Sequence, residues 1–563
     1  MKKIFLAFLG AFALLSCSES RLDIPQKGVI ATEDFYQTDE DAEMALIAAY
    51  ETAAMQYMAF WWNDNIIYAL WNYPGDDIYS AGENKADGIG QNEIHAFRYP
   101  INNNFIETGY KSFFQAVYAA NLVIDNFKDA DSDVKKKAVA EAKVLRSLSY
   151  LQLAIGWGTP PIVDHVLAAT DRPTNAESQE AVLDFIVSSI DEALPHLGNR
   201  QGPGDKNGIY RATKDLANTI KGKALLWKGD YAGAQAALKE VINSGNYQLI
   251  DDVAANFHVR GDGSPEKIFE LNLVYDASLS GYTQHSQANM SWMWNWRQSR
   301  VYIPTGVGAI TYNNGWGGIN PSEKFIEALL ENDGYDSARR KAWVASYDEV
   351  LYEMPYPQDG DAPVLGYSDA KAADKNRGVY HADGVYAHCG WFMMKVNINA
   401  EDIKAGSSND RNTRIFRYRE VILMFAECAA HTGTDKDLAL EMVQKIQNRA
   451  ESATVWESTA DVTLENVKKE KMIEMWLEGC RYQDLVRWGD TDELMNNGKV
   501  IPNFKDKINE GNATHEGYVD YSDADWCIKL YPELGFKKGK HELFPFPFSE
   551  MSVNENMKQN PGW

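Results

Sequence analysis

The stretch Thr213–Tyr247, TKDLANTIKGKALLWKGDYAGAQAALKEVINSGNY, restricts the fold more than any other part of the chain. Leu216, Ile220 and Ala224 recur at helical spacing, with Leu225 and Trp227 adjoining, so its first half is an amphipathic helix. Gly229-Asp230 interrupts the pattern. The small residues Ala232, Gly233, Ala236 and Ala237 are then expected to let a second helix approach closely. Neither helix can bury its apolar face alone, so the pair must stack on neighbours.

The GDYAGA turn resembles that of a tetratricopeptide unit. A second hairpin is expected from RYREVILMFAECAAHTG and KDLALEMVQKIQNRA, and a further helix from LENVKKEKMIEMWLEGCRYQDLVRW. Helices are also expected from Asp39, which caps an acidic first turn, and over FFQAVYAANLVIDNF. Another ends at Gly156 and Gly158 before Pro160-Pro161, and another starts at Ser178. Two regions, about 61–100 and 250–410, break this texture with Gly, Asn, Asp, Pro and aromatics. Only PSEKFIEALLEN reads as a helix in the second, with Pro321 in its first turn. Loops this long in a compact chain are usually functional.

The first residues, MKKIFLAFLGAFALLSC, pair a basic start with an apolar run from Ile4 to Leu15, too short to span a bilayer. They form a secretory signal, residues 1–16, and LLSC resembles a bacterial lipobox that would leave Cys17 as a lipidated N-terminus. Residues 17–37 follow as a tether and 38–563 as a single elaborated domain. The formal charge of −25 excludes the basic footprint of a nucleic-acid binder and a polybasic patch for anionic lipid.

Four cysteines remain, Cys389, Cys428, Cys480 and Cys527, too few for a disulfide scaffold; Cys428 is expected as a buried thiol. His381, His388 and Cys389 lack a fourth metal ligand nearby, and no zinc or calcium motif occurs. No cofactor is expected: GVGAIT at Gly306 lacks the strand–helix context of a nucleotide loop.

Seven segments in order, behind the lipobox, carry a resemblance to a known family. They are LDIPQKGVIATEDFYQTDEDAEMALIAAY, EAKVLRSLSYLQLAIGWGTPPIV, GKALLWKGDYAGAQAALKEVINSGNYQL, NPSEKFIEALLENDGYDSARR, RYREVILMFAECAA, MWLEGCRYQDLVRWGD and LFPFPFSEMSVNENMKQNPGW. The chain resembles the SusD/RagB-like outer-membrane lipoproteins of glycan- and nutrient-uptake systems. The resemblance implies a mainly α fold, with tetratricopeptide-like hairpins supporting large loop-rich insertions that carry a few short strands. It implies a glycan ligand at the cell surface, a lipid anchor in the outer membrane, a SusC-like TonB-dependent transporter as partner, and no catalysis. A peptide or other non-glycan nutrient is the alternative within the family, and a glycoside hydrolase the remote one. The matched motifs are expected to maintain the scaffold, with Arg419 and Glu420, or Glu478 and Arg481, as ion pairs joining helices.

A sugar ring offers C–H patches to aromatic faces and hydroxyls to Asn, Asp, Gln and Arg. Two segments combine such residues. The first supplies Trp71, Asn72, Tyr73 and Asp77, and the second Trp292, Trp294, Trp296, Arg297, Tyr312, Asn314 and Trp316. Period two aligns Trp292, Trp294 and Trp296 on one strand face, which can be a buried side or a stacking surface. Trp316, in NNGWGG, suits an exposed loop tip. Asp76-Asp77, after Pro74-Gly75, reads as a solvated turn or a calcium ligand pair.

Overall fold

The computed structural model describes residues 35–57, 66–80, 88–273, 303–305, 309–311, 317–346, 391–397, 400–405, 408–409, 411–492, 494 and 535–563. Its helices are α1 (Asp39–Ala54), α2 (Ile66–Asn72), α3 (Ile89–His95), α4 (Asn104–Asn126), α5 (Asp133–Trp157), α6 (Gln179–Ala193), α7 (Lys214–Lys228) and α8 (Tyr231–Asn243). After the central strands come α9 (Glu323–Asp333), α10 (Ala338–Trp343), α11 (Tyr418–Thr432), α12 (Lys436–Ala450), α13 (Leu464–Glu474), α14 (Arg481–Trp488) and α15 (Phe548–Met551).

The 213–247 hairpin forms as its pattern requires. Thr213 caps α7 by accepting from the Leu216 N–H, and Gly229 ends it at φ 81°. Asp230 then caps α8 through the Gly233 N–H. The two helices pack on each other, and Leu216, Ile220 and Ala224 of the first and Ala234, Leu238 and Val241 of the second are all fully buried in the core. The residue that permits close approach is Gly222, where a Cβ would lie 2.6 Å from Leu238 Cγ. Ala232 and Ala236, expected at the contact, face solvent instead.

The same arrangement extends on both sides. Helices α4 to α7 each pack on their successor, α11 packs on α8 and then on α12 and α13, and α1 lies across α4 and α5. This is a stack of helical hairpins over one continuous core running from Ala42 to Met557. Caps set its register: Ser132 and Ser178 accept from the Lys135 and Ala181 N–H groups, and Gly158 ends α5. Thr38 rather than Asp39 caps α1, in a capping box closed by Asp41. Phe35 and Tyr36 already pack on the core, inside the expected tether. The single helix expected over 464–488 is two. Leu477 (φ 61°) and Gly479 (φ 78°) turn the chain between α13 and α14.

Among the described residues the strands make five small antiparallel pairs. β1 (Ile78–Ser80) pairs with β5 (Ile319–Pro321), so Pro321 ends a strand and Ser322 caps α9. β2 (Lys267–Leu271) pairs with β10 (Thr413–Arg417), irregular at Phe416. β3 (Ile303–Thr305) pairs with β4 (Ala309–Thr311), β6 (Val344–Ser346) with β7 (Trp391–Met393), and β8 (Ile403–Ala405) with β9 (Ser408–Asn409).

Buried ion pairs fasten this second half to the hairpins. Arg419 bridges Glu266 and Glu474. Arg417 donates to Glu478 at 2.6 Å and to Glu266 at 3.0 Å. Arg339 donates to Glu474 at 2.8 Å, and Lys395 to Glu478 at 2.8 Å. Buried pairs are thus present, with different partners from those expected: Glu420 holds Lys223, and Arg481 holds Asp76. Burial opposes ionisation of Glu474 and Glu478, but the surrounding guanidinium and ammonium groups override it and hold both near pKa 2.

Candidate functional site

Between α2, α7, β10 and the turn joining α13 to α14 lies a cavity of about 110 Å³. The five residues of β10 form one wall, and Tyr68, Trp71 and Asn72 of α2 face it. Gln152 from α5 and Lys223 from α7 close one side, and Leu477, Glu478, Gly479 and Gln483 another. The chain passes here because Asn72 Oδ1 accepts from the Gly479 N–H at 2.9 Å, tying α2 to the 475–480 turn.

Most of the charge on these walls is paired. Lys223 Nζ donates to Glu420 at 2.9 Å; burial opposes its charge, yet the carboxylate raises its pKa above the usual lysine range. Arg417 is shared by Glu478 and Glu266. Arg414 differs. Its hydrogen bond goes to the Asn412 carbonyl, at 3.4 Å, and its guanidinium carbon lies 4.8 Å above the Phe257 ring. Burial lowers its pKa, with the carboxylates of Glu270, its partner across β2 and β10, Asp262 and Glu478 opposing. Thr413 Oγ1 and Gln483 Oε1 have no hydrogen-bond partner among the described residues.

Of the expected site residues, Trp71 and Asn72 come to this cavity and Tyr73 and Asp77 do not. Trp71 is 1% exposed and Tyr73 0%, which corrects the expectation that they stack on ligand from a loop surface. Trp71 is built into the core: Nε1 donates to Gln152 Oε1 at 2.8 Å, and the ring packs on Phe544 and Tyr482. Asp77 is buried, and its backbone carbonyl accepts from the Trp476 indole at 3.1 Å. The solvated or calcium-binding turn at 76–77 is also corrected. Asp76 is 0% exposed, and both its oxygens are taken by cations, Arg481 at 2.6 and 2.8 Å and Lys324 at 2.7 Å. Trp292, Trp294, Trp296, Arg297, Tyr312, Asn314 and Trp316 lie outside the described residues, as do Cys17, His381, His388 and Cys389.

The cavity residues that sequence patterns miss are Gln152, Lys223, Thr413, Arg414 and Gln483. Gln152 alone carries a local signal, a polar residue inside the apolar run SYLQLAIGW. Elsewhere, His258, Glu401 and Asp402 bring metal-ligand atoms together, but protein groups already answer the two carboxylates. His258 Nδ1 and the Val259 N–H donate to Asp402 at 2.8 and 2.9 Å, and Arg260 pairs with Glu401. Cys428 and Cys480 are buried free thiols. Among the described residues no helix is long and apolar enough to cross a membrane.

A stack of helical hairpins with a cavity between its helices and the strand β10 defines the class, a mainly α scaffold of the tetratricopeptide-like kind. The family model of the SusD family matches residues 265–563, and the chain belongs to that family. A SusD-like protein, P38, of Formosa agariphila is 24% identical over 535 residues, covering 87% of this chain and 92% of that protein. A laminarin-binding SusD-like protein has the same fold, with a TM-score of 0.69 and 21% identity over 94% of this chain and all of that one (100%). So does surface glycan-binding protein A of Bacteroides thetaiotaomicron, solved in complex with laminarihexaose. Its TM-score is 0.69 and its identity 22%, over 93% of this chain and 100% of that one.

Proposed function

We propose that this protein captures oligo- or polysaccharide at the cell surface, without catalysis. It hands the ligand to a SusC-like TonB-dependent transporter in the outer membrane, to which it is anchored through lipid on Cys17. Membership of the SusD family carries this reading. The glycan-binding neighbours of the same fold support it. Ligand contacts are assigned to the aromatic segment Trp292, Trp294, Trp296, Arg297, Tyr312, Asn314 and Trp316, and this segment follows β2, the strand paired with the cavity wall. A non-catalytic role is supported by the two cavity carboxylates. A glycosidase needs a carboxylic acid that stays protonated near neutrality. Glu420 is tied to Lys223, and Glu478 is held near pKa 2 beneath Arg417 and Lys395.

The test uses purified protein without residues 1–17. Affinity electrophoresis and calorimetry across a glycan panel should show binding, and the same protein should release no reducing ends. Absence of binding to every glycan, with binding to peptides, would replace the ligand class. Release of reducing ends would overturn the non-catalytic role.

A further inference from the structure

We infer that the cavity between α2 and β10 receives an anionic substituent of the glycan, a carboxylate or a sulfate ester, against Arg414. The inference rests on the glycan-binding reading above and names the sugar class it takes.

The cations on the cavity wall divide into two kinds. Lys223 is matched by Glu420, and Arg417 by Glu478 and Glu266. Arg414 has no carboxylate at ion-pair distance among the described residues. One of its five N–H groups makes a 3.4 Å bond to a neutral carbonyl, and the guanidinium otherwise lies over the Phe257 ring. Arg414 is half-buried, and a guanidinium lying over an aromatic ring with its remaining N–H groups free pairs well with a planar or tetrahedral oxyanion taken through two of them. Two further groups suit the sugar that carries such an anion. Thr413 Oγ1 can donate to the anion or accept from a hydroxyl, and Gln483 Oε1, on a residue 4% exposed, can accept a hydroxyl proton. Both are without partners among the described residues. The volume, about 110 Å³, suits a substituent or part of one ring rather than several sugars.

The long-range field works the other way. A formal charge of −25 repels an acidic polymer, so a preference for one must be built locally. Arg414 is such a local element: of the carboxylates that act on it, Glu478 is held by Arg417 and Lys395, Glu270 lies 3.4 Å from Lys267, and Asp262 accepts from the Asn412 N–H.

The test is calorimetry on the chain lacking residues 1–17, with matched oligosaccharides. These are an oligouronate and its carboxyl-reduced form, a sulfated galactan oligosaccharide and its desulfated form, and a neutral β-glucan. The intact protein should bind one acidic member at least about tenfold more tightly than its uncharged counterpart. The uronate and sulfate arms tell the two sources apart. Arg414→Gln should reduce the acidic-to-neutral preference by about tenfold, and Arg414→Lys should restore part of it. Equal binding of charged and uncharged forms by the intact protein overturns the inference and requires no variant to fold. Binding of neutral glycans alone overturns it while leaving the glycan reading intact, and binding of no glycan removes both.

Discussion

Arg481 holds Asp76 through two parallel hydrogen bonds, Nε to Oδ1 at 2.6 Å and Nη2 to Oδ2 at 2.8 Å, across 405 residues of chain. The pair joins the start of α14 to the turn after α2, and Lys324 adds a third contact from α9. Burial alone would neutralise Asp76, but Arg481 and Lys324 hold its carboxyl well below the usual range. Removing one member leaves a buried charge without its partner, which typically costs about 3–5 kcal/mol. Asp76→Ala is therefore expected to lower the denaturation midpoint strongly, and Asp76→Ala with Arg481→Met to recover part of the loss. A single variant as stable as the intact protein would show the pair to be dispensable.

Gly222 sits inside α7 against Leu238 of α8. Replacing glycine by alanine in a helix ordinarily gains up to about 1 kcal/mol. Here the added Cβ would lie 2.6 Å from Leu238 Cγ and 2.7 Å from its Cδ2, so the helices must separate. Overpacking of this kind costs about 1–3 kcal/mol, and steric strain exceeds the gain in propensity. Gly222→Ala is expected to destabilise, and Gly222→Ala with Leu238→Ala to relieve part of the clash. A more stable Gly222→Ala protein would reverse the sign.

His541 makes the C-terminal clasp sensitive to acid. Its Nδ1 accepts from the Lys537 N–H at 2.8 Å, and the ring stacks on Phe97 at 5.4 Å and meets Tyr99 and Trp563. Burial, then Lys540 and Lys537, push its pKa from 6.5 down to about 4. Between those values the unfolded chain binds the extra proton, so stability is full above about pH 6.5 and falls as pH drops toward 4. The loss amounts to about 3 kcal/mol. Buried carboxylates such as Glu474 and Glu478 add their own loss only lower, between their ordinary pKa of 4.5 and about 2. Asp262, whose carboxyl is pushed up to about 7 by burial and Glu270, works the other way over this range, so the His541 effect is read as a difference: in thermal melts the intact protein should lose stability relative to His541→Asn from pH 7 to 5. An unchanged slope in the variant would assign it to other groups.

The scaffold is legible because its signals are local. Ser132, Ser178 and Thr213 cap their helices, and Gly158, Gly229, Gly433 and Gly489 end theirs. The break between α13 and α14 carries a weaker mark, since Leu477 takes a left-handed conformation without being glycine or asparagine. Asp76 misleads for a related reason. PGDD reads as a solvent-facing turn, and what buries it is an arginine in a distant helix. At the cavity, Trp71 and Asn72 are visible as an aromatic beside a short polar residue. Lys223, Arg414 and Gln483 arrive from three separate elements, and no local spacing encodes that convergence.

Trp71 and Trp316 separate a ring that holds the fold from one assigned to the ligand. Trp71 is enclosed by Gly156, Gly479, Phe544 and Tyr482, and its indole is bonded to Gln152. Trp71→Ala removes that packing and leaves the Gln152 oxygen unpaired. It is expected to cost about 3–5 kcal/mol, read as a lower denaturation midpoint. Trp316, between Gly315 and Gly317-Gly318, lies outside the described residues and is the proposed stacking ring. Trp316→Ala is expected to change stability by no more than about 0.5 kcal/mol and to weaken glycan binding about tenfold, as loss of an anchoring aromatic does. Measuring both quantities on both variants decides the assignment. Unchanged affinity in Trp316→Ala takes that ring out of the site, and weakened binding at full stability in Trp71→Ala puts Trp71 back into it.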